Sequence, residues 1–120
     1  MSQSMCKITS LAMGLCFAGQ ALADTASRLE KFVGYAIVAS KTIDSWVEEG
    51  KKEDGFTGCK QGRTIVFTDG TALKCNTYDY HYAYRPTAIL LAKQIGIYGG
   101  QTLYDVKMIV EDEVFDMNSF

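Results

Sequence analysis

The sequence predicts a mainly β domain, a small antiparallel barrel or rolled sheet of about six strands, with a short helix at its beginning. β-Branched and aromatic residues are concentrated in short runs, and turn-forming dipeptides separate these runs. The 120-residue chain shows no internal repeat. Residues 24–120 are therefore predicted to form one small domain with one core.

Residues 1–23 have the composition of a signal peptide. Lys7 supplies a positive charge, the stretch ITSLAMGLCFAGQALA is mostly apolar, and Ala21-Leu22-Ala23 has small residues where a signal peptidase requires them. The apolar stretch is interrupted by polar residues and glycines and is too short for a spanning helix. We therefore expect cleavage after Ala23, no stable membrane insertion afterwards, and a periplasmic or secreted protein.

The next segments are a short helix and a long strand. DTASRLEKFVG has a capping residue at Asp24 or Thr25, helix-forming residues after it, and Gly34 as a stop. YAIVASKTIDSW is rich in β-branched and aromatic residues without a helical stripe, so it is predicted to be the first strand. VEEGKKEDG is polar and charged and is expected to be a surface loop.

The clearest local signal is the hairpin predicted by TIVFTDGTALKC. Two β-prone runs flank Asp69-Gly70, a pair that suits a two-residue primed turn because both central positions need positive φ. Such a turn would place Thr68 opposite Thr71 and Thr64 opposite Cys75.

The exported chain would keep two of the four cysteines, Cys59 and Cys75. In an oxidising compartment they are predicted to form a structural disulfide, since their spacing fits neither a zinc module nor a redox-active CxxC pair. Closing this loop should stabilise the domain by roughly 3 kcal/mol.

The C-terminal third is expected to supply further strands. PTAILLAKQ fits either a short helix or a buried strand, and the strand is favoured. GIYGG is expected to be a loop. YDVKMIVEDEVFDM is predicted to be a second hairpin with Glu111-Asp112 at its turn, and the acidic residues around that turn are interpreted as solvated rather than as metal ligands.

The segment YDYHYAYRP, residues 78–86, is the strongest candidate for a functional surface. It contains the only histidine, His81, and the only proline of the chain, with Arg85 alongside. If it is extended, alternate side chains share one face, which is then wholly aromatic. The residues of this face, called the tyrosine stripe below, are Tyr78, Tyr80, Tyr82 and Tyr84.

Two interpretations of the tyrosine stripe follow. The favoured one is that the rings cover the core and their hydroxyls reach its rim, because a small domain has few aromatic residues to spare. The other is an exposed platform that binds a ligand through the stripe together with His81 and Arg85. Four buried phenols would need four hydrogen-bond partners, so one or two are expected to reach solvent.

No catalytic motif is present, and the single histidine has only a loose arrangement of Thr77 and Asp79 beside it on the same strand face. The mild excess of 14 acidic over 12 basic residues argues against nucleic acid as a partner. No cofactor is predicted. The sequence therefore indicates a non-catalytic exported domain that binds a protein or envelope ligand; the alternatives are an inhibitor of a secreted enzyme and, less favoured, a minimal hydrolase centred on His81.

Overall fold

The computed structural model describes residues 24–118, so the predicted signal peptide lies outside the described residues. The chain divides between Val33 and Gly34 into two units, which are treated separately. The described part of the first unit is a short helix, α1 (Thr25–Leu29), followed by a single 3₁₀ turn. The Asp24 side chain accepts a hydrogen bond from the Ser27 amide, as expected of a helix cap. No helix in residues 24–118 is long and apolar enough to cross a bilayer.

The second unit is built from antiparallel strands, which confirms the mainly β prediction. Between residues 34 and 118 the strands are β1 (Ala36–Glu48), β2 (Lys51–Asp54), β3 (Phe56–Cys59), β4 (Thr64–Phe67), β5 (Ala72–Lys74), β6 (Asp79–Ala83), β7 (Thr87–Tyr98), β8 (Gln101–Val110) and β9 (Glu113–Met117). Six of them form a half-barrel in the order β5-β4-β1-β7-β8-β9. β2 adds to β1, and β3 pairs with β6 in a separate two-stranded sheet.

The long first strand, predicted from its β-branched residues, connects the two halves of the curved sheet. Its first half, from Ala36 to Thr42, pairs with β7. Its second half, from Ile43 to Val47, pairs with β4, and β2 lies along the opposite edge. The register shifts in both halves, as expected where a strand bends strongly.

The two end strands of the half-barrel meet beside the disulfide. Cys75 bridges to Met117, the Asn76 amide donates to Asp116 O at 2.8 Å, and the Asn118 amide donates to Lys74 O at 2.9 Å. Cys75 is also bonded to Cys59, with the two Cα atoms 5.5 Å apart. The predicted disulfide is therefore confirmed, and it joins β3 to the point where the sheet's ends meet.

The core lies inside the half-barrel and contains several bulky apolar side chains. Phe56 and Phe115 are fully buried and pack edge to face, with ring centroids 5.3 Å apart. Trp46, Phe67 and Ile43 are buried with them. Each such side chain contributes roughly 2 kcal/mol through burial. β3 thus covers the core through Phe56 and holds β6 on the outside.

The β4–β5 hairpin forms, but its predicted register is wrong by one residue. Thr64 lies opposite Lys74, not Cys75. The loop has three residues, and of its last two only Gly70 has positive φ, so it is not the primed turn that Asp69-Gly70 predicted. Thr68 is drawn out of the hairpin because its amide donates to Thr42 O of β1.

Two predicted loops are strands instead. The charged segment after Trp46 continues β1 and then forms β2, which pairs residue by residue with β1 across a turn at Glu49-Gly50. GIYGG continues β7 to Tyr98, and only Gly99-Gly100 form the turn. The favoured strand for residues 86–94 and the hairpin turning at Glu111-Asp112 are confirmed by β7, β8 and β9.

The ends of β7 and β8 extend beyond the rest of the sheet as a two-stranded ribbon of residues 93–105, here called the outer ribbon. β1 pairs with β7 only as far as Ala92, and β9 pairs with β8 only from Val106 onward. Several large apolar side chains of the ribbon are exposed: Ile95, Ile97, Tyr98, Leu103 and Tyr104.

Candidate functional site

All four side chains of the tyrosine stripe are exposed, so the prediction that they cover the core is wrong. The exposed fractions are 77% for Tyr78, 72% for Tyr80, 61% for Tyr82 and 68% for Tyr84. The physical reason is that β3, the partner of β6, supplies Phe56 and Cys59 to the core, so Phe56 fills the space that the rings were expected to fill. On β6 it is Ala83 that is buried, with His81 half-buried.

β6 is held in place by a close approach to β3 at Gly58. Gly58 lies opposite Tyr80 and has a φ of 100°. A Cβ atom there would lie 2.2 Å from Asp79 O and 2.8 Å from the Tyr80 Cα, closer than any side chain can approach. The sequence needs glycine at this position for both reasons, and the result is a backbone contact that fixes the first half of the stripe.

The stripe is not uniform along its length. Gly58 pairs with Tyr80, and Phe56 pairs with Ala83. Between these two pairs β3 has one residue and β6 has two, so the register shifts there. This is a β-bulge, and it separates the two halves of the stripe. Tyr84 lies beyond it, next to Gly55, where a Cβ would be 3.6 Å from the Tyr84 ring.

A cleft of about 230 Å³ opens beside the first half of the stripe. Tyr78 and Tyr80 line one side of it. The rest of the lining comes from β3 and the connection to β4: Thr57, Cys59, Lys60 and Arg63. The disulfide thus lies at the cleft, and two cations face two phenol rings.

Arg63 forms a rigid wall of this cleft. Its guanidinium lies 3.9 Å from the centre of the Trp46 ring. Its Nε donates to Glu48 at 3.0 Å, and its Nη1 donates to Thr57 Oγ1 at 3.0 Å and to Gly58 O at 3.2 Å. The Arg63 side chain is only 13% exposed. Because it contacts β1 and β3 at once, it holds the two strands in a fixed relation.

Lys60 is the more exposed cation of the cleft. Its ammonium group pairs with Glu48 at 2.9 Å, and its side chain is 52% exposed. Hydrogen bonds from Lys60 and then from Arg63 hold the pKa of the Glu48 carboxyl below its ordinary value. The same carboxylate raises the pKa of Lys60. Glu48 is therefore ionised and is shared by two cations.

The other two residues predicted for this surface lie away from the cleft. His81 contacts Glu111 of the β8–β9 turn, with Nε2 and Oε1 2.7 Å apart. Arg85 pairs with Asp44 at 3.3 Å and lies over the Tyr84 ring. The structure therefore brings Tyr78 and Tyr80 together in one cleft and places His81 and Arg85 elsewhere on β6 and its end.

Sequence reasoning missed Thr57, Lys60 and Arg63. A signal was available for Lys60, because it follows Cys59 directly and the predicted disulfide brings Cys59 close to the segment that begins the stripe. Arg63 could not be found in this way, since its position depends on stacking over Trp46 of a different strand.

No family model, no curated protein and no solved structure matches the chain. Within residues 24–118, no three His, Cys, Asp or Glu side chains are grouped so as to hold a metal ion. The chemistry of the cleft and the stripe is therefore the basis on which function is inferred.

Proposed function

We propose that this chain is an exported, non-catalytic binding domain, periplasmic or secreted, that holds a protein or envelope ligand on the tyrosine stripe and the adjoining cleft. The leader-like residues 1–23 and the disulfide between Cys59 and Cys75 support an oxidising compartment outside the cytosol.

The observation that carries this proposal is the exposure of four phenol rings on β6 and the residues that flank it. Each of Tyr78, Tyr80, Tyr82 and Tyr84 is more than half exposed. Tyrosine gives a large contact area for the loss of two rotatable angles, and its hydroxyl can bond to a polar partner. A row of such rings in contact with solvent is typical of a surface that another molecule covers.

The way β6 is held favours binding further. The disulfide, the close contact at Gly58 and the bonds of Arg63 fix β3 beneath the stripe. A surface that is rigid before binding loses little conformational entropy when the partner arrives. Rigidity of this kind suits recognition of one partner.

The test replaces stripe residues outside the cleft. A Tyr82→Thr/Tyr84→Thr variant keeps residues that favour strands but removes two exposed rings. The affinity-tagged protein is cross-linked in an envelope extract, and the captured proteins and glycans are compared with those of the wild type. We expect the variant to lose the partner.

The matched control is Tyr98→Thr, because Tyr98 is 78% exposed at the end of β7 and does not belong to the stripe. The control should capture the same partner as the wild type. Equal capture by the stripe variant and the wild type would refute the proposal. If the partner is a secreted hydrolase that the wild type slows, the domain is an inhibitor.

A further inference from the structure

We propose that the cleft beside Tyr78 and Tyr80 binds a carboxylate group of the ligand, with Lys60 as its counter-ion and the tyrosine rings as its apolar wall. This inference rests on the proposed function, because the cleft adjoins the stripe that is proposed to hold the partner. The inference extends the proposed function by naming the chemical class of the ligand group that the cleft recognises.

The charges around the cleft favour an anion. Its lining includes two cations, Lys60 and Arg63, and no acidic side chain. Glu48 pairs with both cations but does not line the cleft. Glu49 also acts on Lys60, from the exposed turn that follows β1. The charged side chains that line the cleft are thus both positive.

The hydrogen-bonding groups of the cleft are mainly donors. Arg63 gives its Nε and Nη1 hydrogens to Glu48, Thr57 and Gly58, so it shapes the wall rather than binding the ligand. Thr57 Oγ1 accepts from Arg63, which leaves its own hydrogen to donate. Lys60 has three donor hydrogens, of which the Glu48 contact uses one. A ligand group that only accepts hydrogen bonds fits such a set.

Size and charge together select a carboxylate. The cleft, at about 230 Å³, is smaller than the sites that enclose a whole drug-sized ligand, so it takes one group of a larger molecule. Two cations share one directly paired carboxylate, Glu48, while Glu49 acts on Lys60 only from an exposed turn where solvent screens its charge, so a single positive charge is left for a monoanion. The rings of Tyr78 and Tyr80 add an apolar side against which a planar or aromatic group can stack.

The carboxylate could belong to a free organic acid or to the C-terminal end of a partner protein. Two matched pairs of probes distinguish these two sources. Benzoate is compared with benzamide, and N-acetyl-glycyl-phenylalanine is compared with its C-terminal amide. Each is titrated into the isotopically labelled wild-type protein while the amide resonances of Lys60, Tyr78 and Tyr80 are followed by NMR.

We expect saturable shifts, in the millimolar range, with at least one of the two acids, and binding at least about tenfold weaker with its neutral partner, because a charge-assisted hydrogen bond is lost. Saturation by benzoate would indicate a free acid, and saturation by the peptide acid alone would indicate a chain end. Equal binding of acid and amide, or no binding of either acid, would overturn the inference. So would binding of dimethyl phosphate in the cleft without binding of the carboxylates.

Three variants test the role of Lys60. Lys60→Gln should reduce binding of the acid to the level of the neutral probe. Lys60→Arg, which keeps the positive charge, should bind the acid about as well as the wild type does. Lys107→Gln removes a lysine that pairs with Asp116 on the β8–β9 hairpin, and it should leave binding unchanged. Full binding by Lys60→Gln would contradict the inference. That result would leave the proposed function standing as long as the Tyr82→Thr/Tyr84→Thr variant still loses the captured partner.

Discussion

Arg63 lies over the ring of Trp46, with the guanidinium carbon 3.9 Å from the ring centre. Trp46 belongs to β1, and Arg63 precedes β4, so the contact joins two neighbouring strands beside the cleft. An arginine over a tryptophan gains from the attraction between the cation and the ring face as well as from its hydrogen bonds.

Replacing Arg63 by methionine should lower the free energy of unfolding by about 2 kcal/mol, because the aliphatic stem is kept while the cation and its donors are lost. Lys74→Met on the exposed side of β5 is the control and should change stability little. Urea denaturation measures both. An unchanged midpoint for Arg63→Met would mean that the stack does not support the sheet.

Gly58→Ala should destabilise the contact between β3 and β6. The added methyl group would meet Asp79 O at 2.2 Å, on a backbone whose φ of 100° already disfavours a side chain. Gly62 is a matched control because its φ is also positive, at 85°, but a Cβ there meets nothing within 4 Å. Gly62→Ala should lose about 1 to 2 kcal/mol.

The loss for Gly58→Ala should exceed that of Gly62→Ala by about 2 kcal/mol, the cost of forcing extra volume into a packed site. Thermal unfolding gives the comparison, and NMR shifts of Tyr78 and Tyr80 show whether β6 has moved. Equal losses in the two variants would mean that the strands can separate without penalty.

The disulfide should supply a large part of the stability of the second unit. Replacing Cys59 and Cys75 by alanine opens a loop with a sequence separation of 16 residues. The expected loss is about 3 kcal/mol. Thermal unfolding of the double variant, beside the wild type with and without a reducing agent, measures it. A reducing agent that lowers the melting temperature of the variant as much as that of the wild type would point to another cause.

Stability in acid should depend on Asp69. Hydrogen bonds from Lys41, and then from the side chain and amide of Thr71, hold the pKa of the Asp69 carboxyl well below its usual range. Because the pKa is lower in the folded than in the unfolded chain, the ionised group favours folding at neutral pH. That contribution should fall as the pH drops below about 4, where the unfolded chain begins to take up the proton.

Asp69→Asn removes this titration but keeps a side-chain oxygen for the Thr71 amide. Denaturation at neutral pH and near pH 2 should show that the wild type loses more stability in acid than the variant does. A variant that loses as much as the wild type would show that the contact between Lys41 and Asp69 does not influence folding.

Much of the fold could be predicted from local signals. The runs of β1 and β8 contain enough β-branched residues to predict strands, whereas the start of β7 fitted either a helix or a strand, with the strand favoured. The two cysteines of residues 24–118 leave one pairing. β2 was missed because its sequence, KKED, has little strand propensity and is extended only through pairing with β1. The β4–β5 register was wrong because a hydrogen bond to Thr42, in a distant part of the sequence, decided it.

The candidate site was predicted only in part. Alternation placed four tyrosines on one face, but alternation alone does not say which face is buried. That depended on Phe56, which fills the core from β3 and keeps β6 outside. The cleft depended on Arg63 and Lys60, whose positions follow from the stack on Trp46 and from Glu48.

The outer ribbon offers a site for inserting a reporter or a cleavage site away from the proposed binding surface. The Gly99-Gly100 turn lies at its tip, and neither β7 nor β8 contributes a side chain to the cleft. A reporter protein spliced between these two glycines, or a protease cut there, should leave the stripe and its neighbours intact.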